Sequence, residues 1–240
     1  MTCVDYIALI VGGGKGLRMG GAIKKQYLDL GGIPVLTRTI QAFDTHPRIS
    51  HIIVVVPGQD HEFCQKNILA PFEFKHSIDL VAGGGTRQES VSNGLRAASS
   101  ICKKDKTTMV MIHDGVRPFL SHTLMNRLMD GATKACGCIP ALPMTDTIKQ
   151  MDNGQLKNID RDTLRSVQTP QVFEMEMIMG GYEYVLNRGL ETTDDASVME
   201  HFGQSVSFVD GEFQNIKITR SYDLVLAESF LEKENKNQIL

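Results

Sequence analysis

Three stretches of this 240-residue chain gather residue types that can handle a polyanion. The first is Gly12-Gly13-Gly14-Lys15-Gly16-Leu17-Arg18-Met19-Gly20, followed by Lys24 and Lys25. Glycines let backbone amides turn inward and approach a phosphate closely. The dinucleotide fingerprint G-x-G-x-x-G fails in every register, because its third glycine falls on Leu17 or Met19. The P-loop pattern G-x-x-x-x-G-K-[ST] fails as well. Gly12, Gly13, Gly14 and Gly16 beside so many cations therefore suit a nucleoside triphosphate held in another way. Arg18 and Lys25 are the groups placed to neutralise charge that develops in phosphoryl or nucleotidyl transfer. Lys15 and Lys24 read as solvated surface cations.

The second stretch is Gly83-Gly84-Gly85-Thr86-Arg87-Gln88-Glu89-Ser90. Gly84, Arg87 and a serine at a helix start suit anion or base recognition, and Ser90 reads equally as an N-cap or a ligand contact. The third is His113-Asp114-Gly115-Val116-Arg117-Pro118. Asp114 beside Gly115 can face a ribose or a metal-bound triphosphate. Arg117, three residues on, either orients that carboxylate or binds phosphate. His113 reads as a structural histidine rather than a base.

The elements around these stretches follow an alternating order. Apolar, β-branched runs at 6–11, 52–56, 78–81, 109–113 and 138–141 predict strands. Helices are expected at Val35–Asp44, with Pro34 suited to its first turn, and at 61–69, 90–99 and from Ser121, which caps Leu124, Leu128 and Ala132 at i, i+4, i+8. A β-α-β-α order implies a doubly wound, mostly parallel sheet of Rossmann-like α/β class, whose ligands bind beyond the carboxyl ends of the strands. All three stretches fall there. The rhythm breaks at 144–168, where alternation around Asp152-Asn153-Gly154 predicts a β-hairpin. A lone hairpin is marginally stable, so it is expected to embrace a second subunit. Beyond Pro170 a helix at 174–188, a strand at 206–209 and a helix at 221–233 are expected, with a fraying polar tail at 232–237.

Composition narrows the class. The 25 basic and 28 acidic residues give a net charge of −3, which argues against a nucleic-acid coat, and 42% hydrophobic residues supply a core. No apolar run approaches the roughly 18 residues of a membrane span, and no basic region precedes the first apolar run, so neither a span nor a signal peptide is expected. Five cysteines without framework spacing read as reduced thiols of a cytoplasmic protein. Cys136-Gly137-Cys138 is not C-x-x-C and no H-E-x-x-H occurs, so no protein-held metal is expected.

Taken in order, these motifs resemble the 2-C-methyl-D-erythritol 4-phosphate cytidylyltransferases of the non-mevalonate isoprenoid pathway. The segments Lys25-Gln26-Tyr27, Asp160-Arg161, Gln168-Thr169-Pro170-Gln171, Thr193-Asp194-Asp195-Ala196-Ser197 and Asn215-Ile216-Lys217-Ile218-Thr219 extend the match from about residue 6 to 230. The resemblance implies one nucleotidyltransferase domain over 1–240, an arm at about 143–168 and a homodimer interlocked through it. It implies CTP in the three loops, with Mg2+ held mainly by its phosphates. Arg18 and Lys25 would stabilise the transition state. Arg161, reaching the partner's site, and Lys217 would hold the acceptor phosphate, with Arg117 and Thr169 beside it. Gly84, Arg87, Ser90, Asp114 and Gly115 would contact the nucleotide. Read as residues alone, Lys217 also fits the solvent face of a strand. The sequence departs from the family in having Lys24 where proline is usual, and Gly12-Gly13 where alanines are common. Two rivals stay open: transfer to another polyol phosphate such as ribitol 5-phosphate, and a nucleotide-binding module without turnover.

Overall fold

The run Ile52-Ile53-Val54-Val55-Val56 has no polar face to show to water, and it lies on an inner strand, one in from the edge, of a sheet covered on both sides. The computed structural model describes residues 4–13, 23–102 and 106–237. Its first half runs β1 (Val4–Val11), the short β2 (Asp29–Leu30) and β3 (Ile33–Pro34), α1 (Val35–Asp44), β4 (Ile49–Val56), α2 (His61–Cys64), β5 (Ile78–Ala82), α3 (Arg87–Ser100), β6 (Thr107–Asp114) and α4 (His122–Ala132). It continues through β7 (Gly137–Pro143), β8 (Lys149–Asp152), β9 (Gln155–Asn158), β10 (Arg165–Val167), β11 (Gln171–Glu174), α5 (Met175–Asn187), α6 (Asp195–His201), β12 (Ser207–Asp210) and α7 (Ser221–Asn237).

The main sheet has the order β10-β7-β11-β6-β1-β4-β5, with β12 also on β7. The β6-β1-β4-β5 half and the β12–β7 pair are parallel, while β10 and β11 run antiparallel. Alternation within the strands sorts the core into two layers. Ile10 and Val54 join Leu36, Ile40, Phe43, Leu124 and Leu128 on one face. Leu9 and Val55 join Val91, Leu95, Ile178 and Tyr182 on the other. Strands buried on both faces are the reason a parallel sheet of this kind reads as continuous apolar sequence.

Most expected strands extend further than predicted, but the helix expected at 174–188 is the shorter Met175–Asn187, and that expected at 61–69 is α-helical only over His61–Cys64 and continues as a π-helical stretch, Gln65–Leu69. Pro34 stands just before α1 rather than inside its first turn. The helix after the second glycine stretch begins at Arg87, because Thr86 rather than Ser90 caps it. Thr86 accepts from the Glu89 amide and the Glu89 carboxylate accepts in return from the Thr86 amide, a reciprocal capping box. The last helix, expected to end near 233, continues to Asn237. Helix α6, unforeseen in the sequence, is opened by a second capping box, Asp194 with Ser197.

The hairpin forms as expected: β8 and β9 pair as a separate two-stranded sheet joined by Asn153 (φ 48) and Gly154 (φ 80). Both turn residues hold positive φ, which an Asn-Gly pair tolerates best. The chain then returns to the main sheet, where β10 pairs with β7.

Candidate active site

Strands β1, β4 and β6 end side by side, and their ends frame a cleft of about 680 Å³. Gly12 and Gly13 follow β1, Gly83 and Gly84 follow β5, and Asp114 closes β6; all five line it. Backbone bonds fix these ends: the Gly12 amide donates to the Val55 carbonyl at 2.8 Å, Gly83 to Val56 at 2.8 Å and Gly115 to Val11 at 2.9 Å. A side chain at Gly84 would put a Cβ 2.3 Å from that of Glu89, so only glycine lets this turn lie against the start of α3. Gly12 and Gly13 are less confined, since an added methyl would meet neighbours at 3.5 and 3.6 Å. Gly14, Gly16, Arg18 and Lys15 lie outside the described residues.

Ser90 sits one turn into α3, where its hydroxyl donates to the Thr86 carbonyl at 2.8 Å and accepts from the Gly84 amide at 3.1 Å. It shapes the second loop from inside and also lines the cleft. Arg87 lines the same wall and makes a two-pronged pair with Asp195, at 3.0 and 2.7 Å. Burial works against the guanidinium's charge, but Asp195 outweighs it and keeps Arg87 charged. Tyr182 donates to the same carboxylate, and burial followed by that charge pushes its hydroxyl well above the usual tyrosine range. Asp195, fully buried, is the residue the motif reading did not single out for a role. Its signal was the Asp194-x-x-Ser197 cap that opens α6.

Asp114 is the only carboxylate lining the cleft among the described residues. Burial alone would raise its pKa, yet Lys217, Arg117 and Arg87 together hold it well below the usual carboxylate range. Lys217 Nζ stands 2.9 Å from Asp114 Oδ2. Arg117 donates from Nε to the same oxygen at 3.2 Å and from Nη1 to the Asn215 carbonyl at 2.7 Å. Arg117 is buried with its guanidinium on the carboxylate, a contact that fits the first of the two readings its sequence position allowed. Thr169 is also buried: its hydroxyl accepts from the Asp114 amide at 3.1 Å and meets His113 Nδ1 at 3.0 Å. His113 is enclosed too, its Nε2 3.1 Å from the Arg117 carbonyl. Burial lowers its pKa to about 4, so it is neutral at pH 7 and structural, as expected.

Lys217 lies in no strand. It follows an irregular segment anchored by Asn215, whose side-chain amide donates to the Thr169 carbonyl at 2.8 Å, and by the Ile218 amide on the Val116 carbonyl at 2.9 Å. Lys25, on the 3-10 turn Lys25–Tyr27, lines the same cleft. The structure thus brings Lys25, Arg87, Asp114, Ser90 and Lys217 to one space. Arg161 stands apart on the arm, in the turn Arg161–Thr163, with Nη1 donating to the Thr145 carbonyl at 2.8 Å. Lys24 is no solvated cation. Its ammonium bonds both oxygens of Asp60, at 2.7 and 2.6 Å.

A doubly wound sheet whose strand ends present glycine turns and cations around one carboxylate is arranged for a nucleoside triphosphate and a second anion, and the class is that of the nucleotidyltransferases. A model of the 2-C-methyl-D-erythritol 4-phosphate cytidylyltransferase family matches residues 6–233, and this chain belongs to that family. The 2-C-methyl-D-erythritol 4-phosphate cytidylyltransferase of Syntrophotalea carbinolica is 41% identical over 230 residues, covering 95% of this chain and 97% of the relative. That of Geobacter metallireducens is 39% identical over 228 residues, covering 95% and 97%. Among solved structures, the 4-diphosphocytidyl-2C-methyl-D-erythritol synthase of Anaerococcus prevotii superposes with a TM-score of 0.81 at 31% identity, covering 95% of this chain and 96% of that one.

Proposed function

We infer that this chain joins CTP and 2-C-methyl-D-erythritol 4-phosphate to give 4-diphosphocytidyl-2-C-methyl-D-erythritol and pyrophosphate. The observation that carries the reading is the lining of the cleft, which brings Lys25, Arg87 and Lys217 together with Asp114 in a chain of this family. The acceptor is a phosphate monoester with a second pKa of roughly 6. It is largely ionised at neutral pH and needs no general base. The neutral, enclosed ring of His113 is consistent with that.

The acceptor oxygen attacks the α-phosphorus, a new P–O bond forms, and the bond to the β-phosphate breaks with its electrons leaving on pyrophosphate. Two anions must meet, so the rate depends on positioning and on cationic stabilisation. Lys25, together with Arg18, stabilises charge at the α-phosphoryl group. Lys217 and Arg161 hold the acceptor phosphate. Asp114, aimed by Arg117, faces the ribose with Gly115 behind it. Gly12, Gly13 and Gly84 bring backbone close to the phosphates, with Arg87 and Ser90 on the nucleotide side.

Among the described residues no three His, Cys, Asp or Glu side chains cluster as metal ligands. Asp114, the carboxylate on the cleft wall among the described residues, already faces two cations. Such a donor set suits an ion carried mainly by phosphate oxygens, as Mg2+ commonly is. Mg2+ bound to the triphosphate would neutralise part of its charge and favour the leaving group.

The chain acts as one nucleotidyltransferase domain and as a homodimer through the arm, whose Met151 and Leu156 are exposed, at 66% and 61%. In that dimer Arg161 serves the neighbouring cleft. No helix among the described residues is long and apolar enough to cross a membrane. Cys64, Cys102, Cys136 and Cys138 are all unbridged thiols, which suits a cytoplasmic enzyme.

Pyrophosphate release with CTP and Mg2+ tests the reading. Release with methylerythritol phosphate and far less with ribitol 5-phosphate is expected. Preference for ribitol 5-phosphate would reassign the acceptor, and CTP binding without release from either would make the chain a nucleotide-binding module.

A further inference from the structure

The turn that carries Lys25 is held from three sides. Ahead of it, Lys24 grips both oxygens of Asp60 at 2.7 and 2.6 Å. Behind it, the Tyr27 hydroxyl donates to Asp60 Oδ2 at 2.7 Å and accepts from the Cys64 thiol at 3.3 Å. Between them, the Gln26 side-chain amide donates to the Gly12 carbonyl at 2.7 Å. The Tyr27 ring also packs on Phe63, with centroids 5.0 Å apart.

Asp60 itself is 9% exposed and does not line the cleft. Its amide donates to the Pro57 carbonyl at 2.8 Å, so the carboxylate is fixed to the end of β4, one of the strands that frame the cleft. Lys24 also lines the cleft, but its ammonium is committed to Asp60. Lys24 does something else. Its backbone stands at φ −66, ψ 140, the conformation a proline ring would impose. A lysine is not confined there by its own covalent structure, and the ion pair to Asp60 supplies the missing restraint.

We propose that Asp60 is a positioning residue for cytidylyl transfer: by clamping Lys24 and Tyr27, which flank the turn, it fixes the placement of Lys25 relative to the ends of β1 and β4. The clamp rests on the reading of Lys25 as a group that meets the α-phosphoryl charge. Asp60 touches no substrate, and its effect passes through the turn. A misplacement of about 1 Å at a reacting group can cost up to about 100-fold in rate.

Three variants of the full-length chain test this: Asp60→Asn, Lys24→Pro, and the two together. Asp60→Asn is expected to lower kcat by about 10- to 100-fold with KM for CTP changed less than about threefold, the split that a displaced transition-state group gives. Lys24→Pro alone is expected to keep kcat within about threefold of the parent, because the ring fixes the same φ. In the double variant, Lys24→Pro is expected to restore most of the kcat lost with Asp60→Asn. Hydrogen–deuterium exchange of a peptide covering residues 23–30 supplies a readout independent of turnover, with exchange faster by about tenfold in Asp60→Asn and slowed again in the double variant. An unchanged kcat in a folded Asp60→Asn protein would overturn the proposal while leaving the cytidylyltransferase reading intact. So would a fall without recovery in the double variant, or unchanged exchange. If the parent chain forms no product at all, the cytidylyltransferase reading fails and the exchange comparison still decides whether Asp60 holds the turn.

Discussion

In the cleft, Asp114 meets Lys217 and Arg117, Arg87 meets Asp195, and Lys24 meets Asp60, all within one subunit. On the arm, Arg161 donates to the backbone carbonyl of Thr145 and lies 4.0 Å from an exposed Asp162, while Met151 and Leu156 face solvent. The first region is organised before any ligand arrives. Its charges are held by buried partners, so the cost of bringing them together is met in folding and not in the reaction. The second, among the described residues, rests on exposed partners, and it is the surface on which the proposed dimer would close. Substitutions in the cleft are therefore expected to disturb turnover or stability strongly, and those on the arm to disturb only how the acceptor is held.

Lys25→Ala should give the largest effect. Loss of a preorganised cation at the developing charge typically costs about 100- to 1000-fold in kcat. Steady-state kinetics should show that fall with only a small rise in the KM for CTP, and a near-normal kcat would remove Lys25 from the mechanism. Asp195→Ala comes next. It strips a fully buried carboxylate from both Arg87 and Tyr182. Breaking a buried pair from one side typically costs about 3 kcal/mol or more, and urea denaturation should show it. A change of less than about 0.5 kcal/mol, the range of an ordinary surface substitution, would mean that Arg87 is not held as the structure implies.

The third test uses pH. His113 is enclosed with its pKa lowered to about 4 from 6.5. Between those values the unfolded chain binds a proton that the folded chain refuses, so stability must fall as pH drops from about 6.5 to 4, by on the order of 3 kcal/mol. Below that window the loss passes to Asp114. Its carboxylate is stabilised by folding, a contribution fully present above the ordinary carboxylate range and lost progressively below it, as pH falls toward the depressed value of the folded state. Urea titrations at pH 7, 5.5 and 4 should follow this course, and His113→Asn should flatten the upper part. Arg161→Ala should give the smallest effect. Stability is expected to stay within about 0.5 kcal/mol, while the acceptor KM rises about tenfold, equivalent to about 1.4 kcal/mol. An unchanged acceptor KM with an altered CTP KM would refute the division between cleft and arm.

The capping residues show where a reading of sequence falls short of what sequence contains. Thr86-x-x-Glu89 is a capping-box signature, and it correctly marks the start of α3, yet Ser90 drew attention through its position after the glycines. Asp194-x-x-Ser197 carried the same kind of signal for α6. These were legible because capping is local. The antiparallel course of β11 was not, since Gln171–Glu174 is a four-residue strand whose direction is set by its neighbours β6 and β7.

Local chemistry determined much of this protein by itself. Runs of β-branched residues set the strands, glycines placed after them set turns that can approach a phosphate, and Asn153-Gly154 set the hairpin. Tertiary structure alone decided which charges are spent. Lys24 reads as a surface cation until Asp60, 36 residues away, is found against it; Arg87 becomes a fixed group only through Asp195, 108 residues away. The physical reason is that an ion pair depends on distance through space and on exclusion of water. Neither is written in the spacing of residues along the chain.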